Sequence, residues 1–126
     1  MRLKPNTLIV VAGPTASGKT ALAIQIAKAV DGEIVSADSM QIYRGVDIAT
    51  AKPTPEELAA VPHHLIGFLP MDRAFSVADY AELARKEIND ILSRGKVPVL
   101  CGGTGLYIKA IVDNVCLLYT SDAADD

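Results

Sequence analysis

The stretch that decides the fold is Gly13-Pro14-Thr15-Ala16-Ser17-Gly18-Lys19-Thr20, which matches the pattern G-x-x-x-x-G-K-[ST] at every fixed position. The apolar, β-branched run from Thr7 to Ala12 precedes it and is typical of a strand that is buried on both faces. The run from Ala21 to Val30 has apolar residues one helical turn apart and predicts a helix. This order of strand, glycine-rich loop and helix predicts a loop that wraps an anion with backbone N–H groups, at the positive end of the helix dipole.

The loop Gly13 to Thr20 therefore predicts a polyphosphate site. Lys19 would place a positive charge on the terminal phosphates, and the hydroxyl of Thr20 suits Mg²⁺ as a ligand. ATP and a diphosphate would satisfy the same donors, so the motif leaves the ligand open. The alternative is a chance glycine-rich turn, and the strand and helix on either side of the loop argue against it.

Strands alternate with helices along the rest of the chain. Three further strands are predicted, at Glu33 to Ala37, His64 to Leu69 and Val97 to Cys101. A short helix is predicted from Glu56 to Val61, a longer one after Ser76 and a last one from about Gly105. Asp79 lies three residues after Ser76 and predicts a capping box. This alternation predicts an α/β fold, a P-loop NTPase-like parallel sheet flanked by helices.

Composition bounds the class of protein. The chain has 126 residues, is 50% hydrophobic and 21% charged, and carries a formal net charge of −3, which is typical of one globular domain and excludes a mainly disordered chain. Its longest apolar runs are far shorter than the roughly 20 residues of a membrane span. Two cysteines, Cys101 and Cys116, form no disulfide framework, which favours a reducing, cytoplasmic compartment. The slightly acidic balance argues against a self-sufficient nucleic-acid binder, but nucleic acid as a substrate stays open.

Polar residues follow two of the predicted strands. Asp38 comes nineteen residues after Lys19, at the end of the second strand, where carboxyl ends of parallel strands line a ligand crevice. An aspartate that only caps the following turn is the alternative there. Thr104 lies in a second glycine-rich turn, Gly102 to Tyr107, where close approach of a ligand and tight strand–helix packing are equally good explanations. Around Asp38 stand further polar residues, Ser36, Ser39, Gln41 and Tyr43.

Three other residues carry weaker signals. His63 and His64 are adjacent, but no third ligand for a metal is evident, so structural or surface roles are expected. Lys52, before Pro53, is expected to be a solvated loop lysine.

Together these segments resemble the tRNA dimethylallyltransferase family, in its bacterial form, over residues 5 to 115. The resemblance rests on segments that occur in the family's order: Gly13 to Thr20, Asp38 to Gly45, Asp47 to Pro53, Pro62 to Ile66, Ser76 to Tyr80 and Gly102 to Tyr107. The run from Asp38 to Pro53 is far more specific than the phosphate-binding loop.

The resemblance implies a prenyl transfer. The loop Gly13 to Thr20 would hold dimethylallyl diphosphate with Mg²⁺, which Thr20 would ligate. The acceptor would be the exocyclic amine of the adenosine beside the anticodon, in tRNAs reading codons that start with U. Asp38 would be the base, and Thr104 would contact the substrate near the reaction channel. The expected tRNA-binding set is Asp38, Ser39, Met40, Gln41 and Thr104, in a monomeric enzyme with no membrane partner.

The segment from Cys116 to Asp126 departs from this pattern. It looks like translated sequencing-adapter sequence that closes a truncated gene, so residues 1–115 are expected to form the core and 116–126 a tail foreign to the family. On this interpretation the last strand of the sheet is missing and the chain as written is inactive or unstable. Two alternatives remain for the function: a small P-loop metabolite kinase, in which Asp38 would activate a hydroxyl, and a non-catalytic nucleotide-binding remnant.

Overall fold

The protein is built around a five-stranded parallel sheet. The computed structural model describes residues 7–13, 18–43, 55–70, 72–113 and 117–122. In chain order the strands are β1 Leu8–Ala12, β2 Gly32–Ser36, β3 His63–His64, β4 Val97–Gly102 and β5 Leu117–Asp122. Their order across the sheet is β3-β2-β4-β1-β5, and every neighbouring pair is parallel. The predicted α/β fold with a parallel sheet is confirmed.

Four helices connect these strands: α1 Lys19–Val30, α2 Pro55–Ala60, α3 Val77–Ser93 and α4 Gly105–Val112. The predicted capping box opens α3, because the side chain of Ser76 accepts from Asp79 N and the side chain of Asp79 accepts from Ser76 N, both at 3.0 Å. None of the helices in the described part of the chain combines the length and apolar character that crossing a membrane requires.

Helices cover both faces of the sheet, which explains why β1 is apolar at every position. Leu8 and Val10 pack into one buried cluster, with Tyr80, Ala84 and Ile88 of α3. The alternate β1 residues, Ile9 and Val11, pack into a second cluster on the other face with apolar residues of α1 such as Ala23, Ile24 and Ala27.

The predicted strand from His64 to Leu69 is wrong over most of its length. The strand contains only His63 and His64, because the backbone turns immediately afterwards, with φ of 66° at Leu65 and 64° at Gly67. After this turn, Leu69 pairs with Tyr43 through an isolated parallel β-bridge. The early end of β3 leaves the carboxyl end of β2 without a strand neighbour on that side.

The edge beside β1 also differs from expectation. Leu117–Asp122 forms β5 and pairs in parallel with β1, so a strand lies at this edge of the sheet where none was expected from these residues. Residues of this segment have side chains with high strand propensity, such as those of Leu117, Tyr119 and Thr120. The assignment of residues 116–126 to a tail foreign to the family stays a prediction.

Candidate functional site

The carboxyl ends of β1, β2 and β4 meet at one edge of the sheet. The backbone N–H of Gly13, just after β1, donates to Gly102 O at 3.4 Å. On the other side of β4, Ala37 N donates to Cys101 O at 2.8 Å, and Thr104 N donates to Ala37 O at 3.1 Å. The three loops that carry the predicted site residues are therefore tied together by backbone hydrogen bonds.

The glycine-rich loop after β1 contributes Gly13, Gly18 and the start of α1. Its residues Pro14, Thr15, Ala16 and Ser17 lie outside the described residues. Gly18 has φ of 77°, a left-handed conformation that favours glycine, and it directly precedes α1. Lys19 is only 7% exposed, and its Nζ lies 3.8 Å from where a Cβ on Gly103 would stand. Thr20 is half-buried in the first turn of α1. A cationic helix start thus faces the glycine turn after β4.

The glycine turn after β4 is shaped by close backbone approach on two sides. A Cβ on Gly102 would overlap the carbonyl of Ala37, and one on Gly103 would lie 2.8 Å from Gly13 O. These close approaches are to the backbone that follows β2 and β1, and not to a helix as the packing explanation expected. The lack of side chains on these two glycines also brings Thr104 next to the loop after β2.

Asp38 is buried, 7% exposed, where that loop begins. Its Oδ1 accepts from Met40 N at 2.9 Å and from Gln41 N at 3.3 Å, so the turn-capping interpretation of Asp38 is confirmed. These two bonds fix the carboxylate against rotation. Burial raises the pKa of the Cys101 thiol to about 11, while Lys19 lowers it and Asp38 raises it, so both charges lie near this thiol.

The residues after Asp38 differ in exposure. Met40 is 50% exposed, whereas Gln41 is buried and its side-chain oxygen accepts from Ser36 Oγ at 3.2 Å. Ser39 N donates to Thr104 Oγ1 at 2.8 Å, and that hydroxyl donates to Ser39 Oγ at 3.3 Å. Among the predicted tRNA-binding side chains described here, Met40 is thus the most exposed, and Gln41 stabilises the loop itself.

One residue near this site was predicted only as a core position of α3. Tyr80 of α3 is fully buried, and its hydroxyl donates to Ser36 O at 2.7 Å. Its ring stacks on Tyr107 of α4, with centroids 4.0 Å apart and planes 11° apart. Helical periodicity predicts a core position for Tyr80, but it does not predict which group the Tyr80 hydroxyl bonds.

The histidines serve the structure of the sheet edge. His64 Nε2 lies 2.7 Å from Glu33 Oε1 and His64 Nδ1 lies 3.0 Å from Glu87 Oε1. His63 Nδ1 donates to Val61 O at 2.8 Å. Their expected structural role is confirmed. Lys52 lies outside the described residues.

The site offers an oxygen ligand that suits magnesium. Within the described ranges, no group of three His, Cys, Asp or Glu residues could hold a metal ion. Mg²⁺ is commonly bound through one or two protein oxygens together with phosphate oxygens and water, and it prefers hard oxygen ligands. The hydroxyl of Thr20, half-buried in the first turn of α1, offers such a ligand, so the site fits an ion that arrives with a diphosphate.

Comparison with known proteins decides the family. A family model described as IPP transferase matches residues 41–125, well over half of the chain. The chain belongs to the IPP transferase family. A tRNA dimethylallyltransferase of Salinispora tropica is 54% identical over 111 residues, and one of Macrococcus caseolyticus is 58% identical over 105 residues. These alignments cover 88% and 83% of the chain but only 35% and 34% of the relatives.

Solved structures of IPP transferases share the fold. A tRNA isopentenylpyrophosphate transferase from Staphylococcus epidermidis superposes with a TM-score of 0.82 at 53% identity, over 91% of this chain and 37% of that one. A eukaryotic dimethylallyltransferase acting on tRNA gives a TM-score of 0.82 at 32% identity, over 88% of this chain and 28% of that one. The chain thus spans about a third of the length of the relatives it matches.

Proposed function

We propose that the protein containing this chain transfers a dimethylallyl group from dimethylallyl diphosphate to the exocyclic amine of the adenosine beside the anticodon, in tRNAs reading codons that start with U. Membership of the IPP transferase family supports the reaction class. The observation that carries the proposal is that the glycine turn after β4 lies against both a buried cation and the loop of a buried carboxylate: Lys19 Nζ is 3.8 Å from where a Cβ on Gly103 would stand, and Thr104 N donates to the carbonyl that precedes Asp38. One group suits a leaving diphosphate and the other an incoming amine.

The loop from Gly13 to Thr20 binds the diphosphate in this proposal. Negative charge grows on the leaving oxygen as the C–O bond of the donor breaks, and the diphosphate departs with the electron pair. Lys19 and the N–H groups at the start of α1 stabilise that charge in a position already organised by the fold. Mg²⁺, held by Thr20 together with the diphosphate, would add Lewis-acid stabilisation.

Asp38 serves the other reactant. The exocyclic amine of adenine is a poor nucleophile, because its lone pair is delocalised into the ring. As the new C–N bond forms, the amine must lose a proton, and the Asp38 carboxylate accepts it as a general base. The two N–H groups on Asp38 Oδ1 hold the carboxylate in one orientation, so little reorganisation is needed during the reaction.

The tRNA meets the protein along the loop after β2. Ser39, Met40 and Gln41 with Thr104 form the predicted tRNA-binding face beside Asp38, and the exposed side chain of Met40 offers apolar contact to an extruded base. Extruding a base costs a few kcal/mol, which such contacts offset. We further propose that the enzyme acts as a monomer in the cytoplasm.

A donor and acceptor assay tests this function. Because this chain spans about a third of its relatives, the assay uses an extended chain, in which residues 1–113 are followed by the part of the S. epidermidis relative that aligns after residue 113. Labelled dimethylallyl diphosphate is expected to modify an anticodon stem–loop RNA. A stem–loop with inosine at the target position is expected to stay unmodified, since inosine lacks the amine. Equal labelling of both RNAs, or phosphate transfer from ATP to a small metabolite in place of prenyl transfer, would overturn the proposal.

A further inference from the structure

The carbonyl of Ser36 lies where β2 loses one of its neighbours. Successive residues of a parallel strand turn their backbone groups to opposite sides. Ile34 N donates to Pro62 O on the β3 side, whereas Ala37 N donates to Cys101 O on the β4 side. Ser36 therefore faces the β3 side, but β3 ends at His64, which pairs with Val35. The sheet itself supplies no strand residue beyond His64 to bond the Ser36 carbonyl.

A side chain takes the place of the missing strand. The hydroxyl of Tyr80, on α3, donates to Ser36 O at 2.7 Å. Burial raises the pKa of Tyr80 far above its usual value, with a smaller contribution from Tyr107, so the hydroxyl stays protonated and can donate at any working pH. The end of β2 is thereby held by α3 from outside the sheet.

The hydrogen bonds continue from Ser36 to the carboxylate. Ser36 Oγ donates to Gln41 Oε1 at 3.2 Å, and Gln41 N donates to Asp38 Oδ1 at 3.3 Å. Ser36, Asp38 and Gln41 are all buried. Buried polar groups of this kind are costly to leave unpaired, so the three bonds favour one arrangement of the loop. We call this series from Tyr80 through Ser36 and Gln41 to Asp38 the α3 brace.

We propose that Tyr80 is a positioning residue for the transfer reaction, which acts through the α3 brace by holding the Asp38 carboxylate in the orientation that receives the amine proton. This inference rests on the proposed function. Tyr80 contacts neither reactant, so its loss affects the rate of proton removal and leaves the diphosphate site intact. The three hydrogen bonds of the α3 brace join residues of α3, β2 and the loop after β2, and Lys19, at the start of α1, is not among them.

The test compares three variants of the extended chain. Tyr80→Phe removes only the hydroxyl of the α3 brace, and Ser36→Ala breaks the next bond while leaving Tyr80 unchanged. Ser93→Ala is the matched control, because it removes a hydroxyl at the other end of α3 that also donates to a backbone carbonyl, Asp90 O at 2.7 Å, and it spares the bond from Tyr80 to Ser36. Each variant is assayed for kcat, for KM of the stem–loop RNA and for affinity of dimethylallyl diphosphate, and the amide hydrogen exchange of Met40 and Gln41 is measured.

Both brace variants are expected to lower kcat about three- to tenfold, as the loss of one buried hydrogen bond would do, with KM and diphosphate affinity within about twofold of the unaltered protein. The amides of Met40 and Gln41 are expected to exchange faster in both. Ser93→Ala is expected to change none of these. Unchanged kcat in Tyr80→Phe and Ser36→Ala, or an equal loss in Ser93→Ala, would overturn the inference.

Amide exchange separates this inference from the proposed function. It is measured without substrate and reports the α3 brace directly. If the unaltered extended chain transferred no dimethylallyl group while exchange at Met40 and Gln41 still responded to Tyr80→Phe, the proposed function would fail and the brace would stand. If transfer occurred and exchange did not respond, the brace alone would fail.

Discussion

The side-chain oxygen of Thr104 accepts a hydrogen bond from the backbone N–H of Ser39 at 2.8 Å. Thr104 follows β4, whereas Ser39 directly follows Asp38 in the loop after β2. The same hydroxyl donates to Ser39 Oγ, and Thr104 N donates to Ala37 O. The turn after β4 therefore binds the Asp38 loop on both sides of the carboxylate.

Replacing Thr104 tests this link. Thr104→Val keeps the shape of the side chain but removes the acceptor for Ser39 N, whereas Thr104→Ser keeps the hydroxyl. We expect Thr104→Val to lower the free energy of unfolding by about 1–3 kcal/mol and to reduce kcat more than tenfold. Thr104→Ser should lie close to the unaltered protein in both. Urea unfolding and the transfer assay on the extended chain measure these effects, and identical kcat values for Val and Ser would contradict the link.

Lys19 is expected to act on the diphosphate alone. Lys19→Met removes the buried charge at the start of α1 and should weaken binding of dimethylallyl diphosphate by about 1.5–3 kcal/mol, the range for hydrogen bonds to charged groups. Lys28→Met is the matched control, because Lys28 is an exposed lysine in the last turn of the same helix. Isothermal calorimetry gives both affinities. An equal loss in the two variants would show that the effect is one of net charge and not of the loop.

The glycines of the second turn should differ sharply in their tolerance of a methyl group. Gly102→Ala places a Cβ against the carbonyl of Ala37, whereas Gly105→Ala meets nothing within 4 Å. We expect Gly102→Ala to destabilise the protein by about 1–3 kcal/mol, as overpacking in a core does. Gly105→Ala should be neutral or slightly stabilising, since alanine favours helix over glycine by about 1 kcal/mol. Urea unfolding gives the free energy of unfolding of the two variants. Equal values would contradict the close approach of Gly102, at the end of β4, to the backbone just after β2.

Acid should weaken the fold through Glu33. The Arg94 guanidinium lowers the pKa of the Glu33 carboxyl to about 2, against burial, which raises it, and His64 lowers it further. A carboxyl with a depressed folded-state pKa contributes stability above its usual pKa of 4.5 and loses it as pH falls towards 2. Glu33→Gln should lower the free energy of unfolding by about 1–3 kcal/mol at pH 7, since Arg94 is partly exposed. The same change should make the free energy of unfolding fall less steeply between about pH 4.5 and 2.5.

The matched control for Glu33 is Asp90→Asn, which removes the exposed partner of the same arginine. It should change stability by less than about 1 kcal/mol at pH 7, as exposed ion pairs do. Urea unfolding at several pH values measures both variants. The same dependence of unfolding free energy on pH in Glu33→Gln as in the unaltered protein would remove Glu33 as the source of acid sensitivity.

Local signals predicted the parts of the fold that local chemistry determines. The apolar run before Gly13 and the capping box at Ser76 each involve residues close in sequence, and the structure confirms both elements. The rule that the carboxyl ends of parallel strands line a ligand crevice placed Asp38 at that edge of the sheet, and the structure shows that its loop bonds to Thr104 there.

The errors came from long-range contacts. The backbone at Leu65 is left-handed although the residue is not a glycine, so the sequence does not predict the turn there. The turn is held by a distant loop, because Gly67 N donates to Gln41 O. The role of the Tyr80 hydroxyl depends on β3 ending early, which periodicity could not reveal. Strand β5 was missed because the chain end was interpreted by its resemblance to read-through sequence and not by its strand propensity.

In the proposed reaction, Asp38 takes the amine proton while the diphosphate leaves from the neighbouring loop. Asp38→Asn is the informative change, because an amide oxygen still accepts the N–H groups of Met40 and Gln41, whereas alanine would also undo the turn. Single-turnover transfer of labelled dimethylallyl to the stem–loop RNA is measured beside calorimetric affinity for dimethylallyl diphosphate. We expect the transfer rate to fall about 10²- to 10⁴-fold, the usual contribution of a general base, with affinity within about threefold. Transfer by Asp38→Asn at the rate of the unaltered protein would contradict the proposed role of Asp38 as the general base.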